Sequence, residues 1–483
     1  MEIESLYSLF KKHPNVSTDS RAVVPGSLYF GLRGENFDGN AFAADALAKG
    51  AAYAVIDNPS VQKDGFREDG RFIVVEDALC CLQELARHHR GQLQIPVIGL
   101  TGSNGKTTTK ELLRSVLSVG FEVLATRGNL NNHIGVPLTL LQIHSEVEVA
   151  IVEMGANHPG EIAFLCGLAA PTHGLITNVG KAHLEGFGDF EGVKKSKGEL
   201  YDFLAGHQGQ LFIQGDNPVL VEMAAQRFGH LVKEQGGAML GNEAVLGNGA
   251  MLGNGVVTYG PGESNHFRGE VVSANPFLEI TWQHGSTFHT LQTQLAGAYN
   301  LENVLAAVAV GKYFGLSDQQ INQGIRDYAP SNNRSQIVDT AKGNRIIGDY
   351  YNANASSMAA AIESFRELTD PRPKILILGD MFELGDSTSE EHRRVIHLAL
   401  EAGPARILFI GKNFFRGSGL QTDGAGGSGL PSASIQQKHP STTFFPTLEE
   451  ARAALLEDPV TDSLILVKGS RGIALEKLID LFV

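Results

Sequence analysis

From Ile95 to about residue 216, short runs of apolar residues alternate with stretches whose apolar positions recur every three to four residues. IPVIGLT (95–101), FEVLAT (121–126), VEVAIVEM (147–154), THGLITN (172–178) and QLFIQGD (210–216) read as strands. Residues 102–117 place Leu112, Leu113, Val116 and Leu117 on one helical face. Strands that are apolar throughout need cover on both sides, so this alternation predicts a mostly parallel sheet between helix layers. The same pattern resumes near Ser331. NRIIGDY (344–350), PKILILGD (373–380), ARILFIG (405–411) and SLILVKG (463–469) are predicted strands, with helices at 355–368, 389–402, 447–456 and 471–482. That order predicts a Rossmann-like doubly wound sheet, although no G-x-G-x-x-G is present. The first residues alternate on a smaller scale. LYFGLRGENFDGN (28–40) is a strand followed by a loop, 51–57 and 71–77 are strands, and 40–49 and 78–90 are helices. The prediction is an α/β protein of three units, 1–92, 93–330 and 331–483, each large enough for a core of its own.

The pattern fails in two places. Residues 240–257 read LGNEAV, LGNGAM, LGNGVV, a period of six that matches hexapeptide β-helix spacing. Three such repeats make only about one coil, so an expanded hairpin or surface loop is the plainer expectation. Residues 416–436 are rich in Gly and Ser, as in a flexible loop.

Composition narrows the chemistry. Gly is 56 of 483 residues, well above the usual ~7%, which asks for many tight turns or close approaches of backbone to ligand. Lys and Arg total 39 against 53 Asp and Glu, a net charge of −14. Such a chain has no global attraction for nucleic acid or an anionic membrane, so any phosphate must be held by local donors. No run of about 18 apolar residues exists, and no signal peptide or membrane insertion is expected. Cys80, Cys81 and Cys166 are odd in number and form no C-x-x-C, so a reducing cytoplasm is the expected compartment.

The sharpest local motif is Gly102-Ser103-Asn104-Gly105-Lys106-Thr107-Thr108, set between a buried strand and a helix start. Glycines let backbone N–H groups turn inward around phosphate oxygens, and the helix N-terminus adds positive potential. Lys106 would bridge the β- and γ-phosphates, and Thr107 would offer its hydroxyl to Mg²⁺. Leu100 stands where the general phosphate-loop pattern has its first Gly. Glu153 closes the strand VEVAIVEM, where a parallel sheet binds ligands, and could hold Mg²⁺ opposite Thr107. Taken alone, His183 in NVGKAHLEGFG reads as an ordinary loop or core histidine, and the lysines of VKKSKGELYDFL as a solvated helix start. Asn129, Asn131, Asn132 and His133 form a polar loop suited to sugar and pyrophosphate groups. Arg334 is a candidate clamp on a γ-phosphate, because its fork matches phosphate oxygens.

TGSNGKTTTKE (101–111) resembles the nucleotide loop of the Mur ligases, the ATP-dependent amide-forming enzymes of peptidoglycan precursor synthesis. The resemblance continues through DSRAVVPGSLYFGLRGENFDGN (19–40), TRGNLNNHIGVPLTL (126–140), VEMGANHPGEI (152–162) and ITNVGKAHLEGFG (176–188). It extends to NNRSQ (332–336), DYYNANASSM (349–358), LGDMFELGDSTSEEH (378–392) and VKGSRGIALE (467–476). GNLNN and YNAN are similar to the member that adds D-alanyl-D-alanine to UDP-N-acetylmuramoyl-tripeptide through an acyl phosphate.

The resemblance implies a UDP-sugar-binding first unit, a central ATPase unit and a Rossmann-like ligase unit. It implies ATP and two Mg²⁺ ions, with His183 and a carbamylated Lys197 at the second ion and Asn178 nearby; Lys194 and Lys195 are rival sites. Ser20, Arg21, Phe37 and Asp38 would serve the uridine end, and Thr126, Arg127, Asn129, Asn131, Asn132 and His133 the N-acetylmuramoyl part. Asn300 and Asn303 would reach the adenine, although Ala298 or Tyr299 stands where the family often has His. Asp349 would meet the ribose or phosphate, and Tyr351, Asn352 and Asn354 the incoming dipeptide, with Tyr350 and Ala355 departing from the usual DSYNANP. Lys106, Lys197, His183 and Arg334 are the expected catalytic set, in a monomer. A third-residue-adding Mur ligase, a folylpolyglutamate synthase-like ligase and a phosphate-loop switch protein are the alternatives. The absence of a DNPR-like motif speaks against the first.

Overall fold

The computed structural model describes residues 2–61, 70–233, 255–331, 333–417 and 439–483. The six-residue repeat through residue 254 and the Gly/Ser stretch from 418 lie outside the described residues. Three α/β units follow one another, each built on its own main sheet. The first sheet pairs Val16–Ser17, Leu28–Phe30, Tyr53–Ile56 and Phe72–Val74, all in parallel.

The central sheet has nine strands. Its parallel part runs, from one edge inward, Val123–Ala125, Val149–Glu153, Val97–Thr101, His173–Ile176, Gln210–Gln214, Val256–Gly260 and Phe267–Ala274. Val97–Thr101 and Val149–Glu153 are buried at every position, as the unbroken apolar runs require. Strand order reverses beside Val97–Thr101, because the chain returns through Val149–Glu153 on one side and His173–Ile176 on the other. Such a reversal opens a crevice at the strands' C-terminal ends, and the glycine loop sits there.

Four strands that the apolar runs did not reveal complete this sheet, Val256–Gly260 and Phe267–Ala274 in its parallel part and two more beyond them. Phe277–His284 and Thr287–Ala296 extend it with antiparallel pairings. Thr287–Ala296 alternates between buried and exposed residues toward its end, the mark of a strand wetted on one face.

The third sheet runs Gln336–Asp339, Arg345–Asp349, Leu464–Lys468, Lys374–Gly379, Arg406–Ile410 and Thr442–Phe445, with only the first pair antiparallel. The helix expected over 471–482 forms instead as two 3₁₀ segments, Arg471–Ile473 and Leu475–Leu481. Ala474 between them is left-handed at φ +59°. Leu475 and Leu478 are buried, a spacing of one 3₁₀ turn.

The first unit has an apolar cluster of its own around Tyr29, Ala46, Leu47 and Ile56, but it also shares a second one with the central unit. Leu6, Phe10, Leu82 and Leu85 share one apolar cluster with Leu140, Val152, Leu165 and Leu168 of the central unit. Buried Arg90 fastens the seam, donating to the carbonyls of Ala169 at 2.8 Å and Ala170 at 2.9 Å. Those carbonyls end the helix Glu161–Ala169, where a cation is favoured.

Candidate active site

A cleft of about 1070 Å³ lies between the central and third units and brings Lys106, Thr107, Glu153, Asn303, Arg334 and Asp349 together. Its floor is the loop from Gly102 to Gly105, leading into the helix Lys106–Leu117. Gly102 and Gly105 take φ of +142° and +78°. A Cβ at Gly102 would stand 2.0 Å from Thr177 Oγ1, and one at Gly105 2.7 Å from Asn303 Oδ1. Both positions therefore need glycine for space as well as for conformation. The Lys106 ammonium folds back onto the Gly102 carbonyl at 2.6 Å. Burial pushes Lys106 below the ordinary lysine value, against the pull of Glu153 and with the help of Arg334. Ser103 lines the cleft and exchanges hydrogen bonds with Gly180. Thr108, at the helix start, is buried and also lines it.

Glu153 is 2% exposed at the end of its strand. It accepts from Thr107 Oγ1 at 3.1 Å and from Asn131 Nδ2 at 2.9 Å. Thr126 is buried behind it, its Oγ1 accepting from the Glu153 N–H at 3.0 Å. Lys110, wholly buried, brings its ammonium to 3.7 Å from the same carboxylate. Sequence reading passed over Lys110. Its signal was the four-residue spacing from Lys106, which puts both on one helix face. Among the described residues no group of three His, Cys, Asp or Glu could hold a metal ion. The Thr107–Glu153 pair nevertheless fits Mg²⁺, which binds through one or two carboxylates and takes further oxygens from substrate phosphates and water.

His183 has φ +53° at the start of a short helix, and its Nδ1 pairs with Glu383 of the third unit. The hydrogen bond from His183 holds the Glu383 carboxyl below the usual range. Lys197 lies well inside the helix Phe190–Gly206, not at its start as the sequence suggested; Asp189 caps that helix. Lys197 is 1% exposed, its ammonium 3.4 Å from the Ala156 carbonyl and 5.3 Å from the centre of the Phe187 ring. Burial, reinforced by Lys106, lowers it to about 7. Lys194 instead pairs with Glu222 at 2.8 Å, and Lys195 is exposed. Asn178 sits beside the loop, accepting from the Asn104 N–H at 3.0 Å.

On the opposite wall Asn300 and Asn303 are buried and joined at 2.8 Å. Asn303 also accepts from Thr109 Oγ1 at 2.9 Å, which fixes it against Gly105. The Arg334 guanidinium stacks 4.0 Å from the Tyr351 ring centre, leaving its buried Nε without a hydrogen-bond partner. Asp349 pairs with Lys468, a buried residue that also lines the cleft and that sequence reading did not single out. Its signal was a lysine ending an otherwise apolar strand. Asn352 is exposed, its Oδ1 accepting from the Ala353 N–H at 2.9 Å. Asn354 caps the helix Ala355–Glu367.

Asn129, Asn131, Asn132 and His133 line the cleft on the side of the first unit. Asn132 also caps the turn that follows, accepting from the Gly135 N–H at 2.9 Å. Arg127 is exposed. Ser20, Arg21, Phe37 and Asp38 do not line this cleft. Arg21 forms an exposed pair with Asp19 at 2.8 Å and holds that carboxyl down to about 2. Asp38 caps the turn at Asn40, and Phe37 is 58% exposed.

In chain order, the sequence is similar to three families: "Mur ligase family, catalytic domain" over residues 13–90, "Mur ligase middle domain" over 100–311, and "Mur ligase, glutamate ligase domain" over 333–471. It is 31% identical over 471 residues to the UDP-N-acetylmuramoyl-tripeptide–D-alanyl-D-alanine ligase of Bacillus subtilis, covering 96% of this chain and 92% of that protein. It is 33% identical over 473 residues to the protein of the same name from Escherichia coli, with the same 96% and 92% shares. A crystal structure of MurF from Acinetobacter baumannii matches at a TM-score of 0.79 and 27% identity, covering 99% of this chain and 98% of that one.

Proposed function

This chain belongs to the Mur ligase family, and we propose that its cleft is where ATP, UDP-N-acetylmuramoyl-tripeptide and D-alanyl-D-alanine meet. It is an ATP-dependent acid–amino-acid ligase that adds D-alanyl-D-alanine in peptidoglycan precursor synthesis. The observation that carries our account of the site is the placement of Lys106, Thr107 and Glu153 in one cleft with Arg334 and Asp349. A phosphoryl group held on the loop would meet positive charge from two units at once.

The terminal carboxylate of the tripeptide attacks the γ-phosphate, the bond to the β-phosphate oxygen breaks, and ADP leaves. The dipeptide amine then attacks the acyl carbon, the carbon–oxygen bond to phosphate breaks, and a proton is lost. Phosphoryl transfer asks for positioning and charge neutralisation more than covalent help. Lys106 and the loop N–H groups hold the β- and γ-phosphates, and Arg334 faces them from the third unit. Thr107 and Glu153 would hold one magnesium ion, and His183 with a carbamate on Lys197 a second. Bound there, magnesium neutralises phosphate charge. Asn300 and Asn303 serve the adenine, and Asp349, steadied by Lys468, the ribose side. Asn129, Asn131, Asn132 and His133 flank the N-acetylmuramoyl part, with Thr126 buried behind Glu153, while Ser20, Arg21, Phe37 and Asp38 take the uridine end outside the cleft. Tyr351 and Asn352 receive the dipeptide on a segment held by Asn354. Closure of the third unit keeps water from the acyl phosphate.

We further propose a cytoplasmic monomer. No helix among the described residues is long and apolar enough to cross a membrane, and the three cysteines are free, as a reducing compartment keeps them. The test is phosphate release from ATP measured with each substrate omitted in turn. Release should require both UDP-tripeptide and D-alanyl-D-alanine. Release with ATP alone, unaffected by either substrate, would refute the ligase and favour a nucleotide switch.

A further inference from the structure

The phosphate loop and the third unit are joined by a closed ring of three side chains. Asn354 Nδ2 donates to Asn104 Oδ1 at 2.8 Å. Asn104 Nδ2 donates to Ser356 Oγ at 2.8 Å. Ser356 Oγ completes the circuit by donating to Asn354 Oδ1 at 2.9 Å. Each member is anchored in its own unit. The Asn104 backbone is held by the Asn178 side chain on both sides, and Asn354 Oδ1 also accepts from the Ser357 N–H at 2.9 Å. The Asn354 carboxamide is thus committed at both ends.

Gly180 makes the fit steric as well. A Cβ there would stand 2.8 Å from Ser356 Oγ, 3.5 Å from Ser356 Cβ and 3.6 Å from Asn104 Nδ2. Gly180 has no left-handed backbone angle, so its missing side chain answers to this contact alone. The same two units are also bridged by Lys181 to Glu391 at 2.9 Å and by His183 to Glu383, but neither pair touches the phosphate loop.

We infer that this ring sets the third unit against the phosphate loop in the arrangement where the dipeptide amine reaches the acyl phosphate. Ser356 and Gly180 are positioning residues that act through the ring, and the inference rests on the ligase reading above. When the ring is broken, the loop still forms the acyl phosphate, but the amine is displaced. Water then attacks the acyl carbon, the carbon–oxygen bond to phosphate breaks, and the tripeptide carboxylate and phosphate are released with a proton. ATP is consumed without an amide.

The experiment measures phosphate released and amide formed side by side in the full chain, for wild type, Ser356→Ala, Gly180→Ala and the double variant. Thermal unfolding of each checks that it folds. Ser356→Ala should raise the KM for D-alanyl-D-alanine roughly 5- to 30-fold, the weight of the two neutral hydrogen bonds its hydroxyl makes, and lift the phosphate-to-amide ratio above one. Gly180→Ala should do more, by wedging the units apart. The double variant should return to the Ser356→Ala level, because removing Oγ clears the added methyl. That rescue distinguishes positioning from general damage to the fold. Unchanged ratio and KM in both single variants would overturn the ring, as would a double variant with the sum of both defects. If Gly180→Ala does not fold, the ratio in Ser356→Ala decides alone. A wild type that makes no amide would overturn the ligase reading instead.

Discussion

Lys197 carries the sharpest chemistry at the scale of single residues. A lysine 1% exposed and lowered to about 7 is half neutral at that pH and largely neutral a unit above it, and only the neutral amine can attack carbon dioxide. Carbamylation would turn a costly buried cation into an oxygen ligand. Lys194 and Lys195 have no such environment, since one is paired and the other exposed. The run VKKSKG could not separate these three lysines, whereas the helical phase does: Val193, Ser196, Lys197 and Leu200 all face inward. Lys197→Ala should lower substrate-dependent phosphate release roughly 10- to 100-fold, the usual cost of a disturbed metal site. Formate or acetate should restore part of it, and Lys195→Ala should match wild type. Full activity in Lys197→Ala would remove this residue from the mechanism. Because the amine is protonated below about 7, reactivation by bicarbonate should weaken as pH falls through that value.

Lys197 is held in place by an element whose start was misread. The helix begins at Phe190, with the Asp189 side chain accepting from the Gly192 N–H at 2.8 Å. Asp189→Ala should cost about 1 kcal/mol in denaturant unfolding, and Asp189→Asn much less, since Asn caps nearly as well. No loss in the Ala variant would mean that packing alone defines the helix end. The same contrast explains what was legible elsewhere. Most of the buried parallel strands announced themselves as unbroken apolar runs, Val256–Gly260 and Thr442–Phe445 being exceptions, and the glycine loop was visible because its chemistry is local. The wetted strands Phe277–His284 and Thr287–Ala296 mix polar with apolar residues and were missed. The turn at Ala474 was hidden because nothing in an alanine signals a left-handed backbone; tertiary packing imposes it. Lys468 and Ser356 became evident only once distant strands and loops were brought together, because their partners lie 119 and 252 positions away.

The charge of the whole molecule remains to be reconciled with its substrates. A chain of net charge −14 repels a nucleotide and a UDP-linked peptide at long range, while the cations proposed to face them are few, Lys106 and Arg334 within the cleft and Arg21 outside it. Salt acts differently on the two. At about 0.1 M the screening length is near 10 Å, so repulsion from the outer surface fades, whereas contacts to Lys106 and Arg334 inside the cleft are screened much less. Raising ionic strength from about 0.02 to 0.15 M should therefore leave the KM for UDP-tripeptide level or lower it. An enzyme steered by an exposed basic surface would show the opposite, a KM that climbs steeply with salt. Steady-state kinetics at fixed magnesium and ATP, with potassium chloride varied, separates the two. A steep climb would mean that binding relies on exposed cations beyond Arg21, with the exposed Arg127 the first to replace.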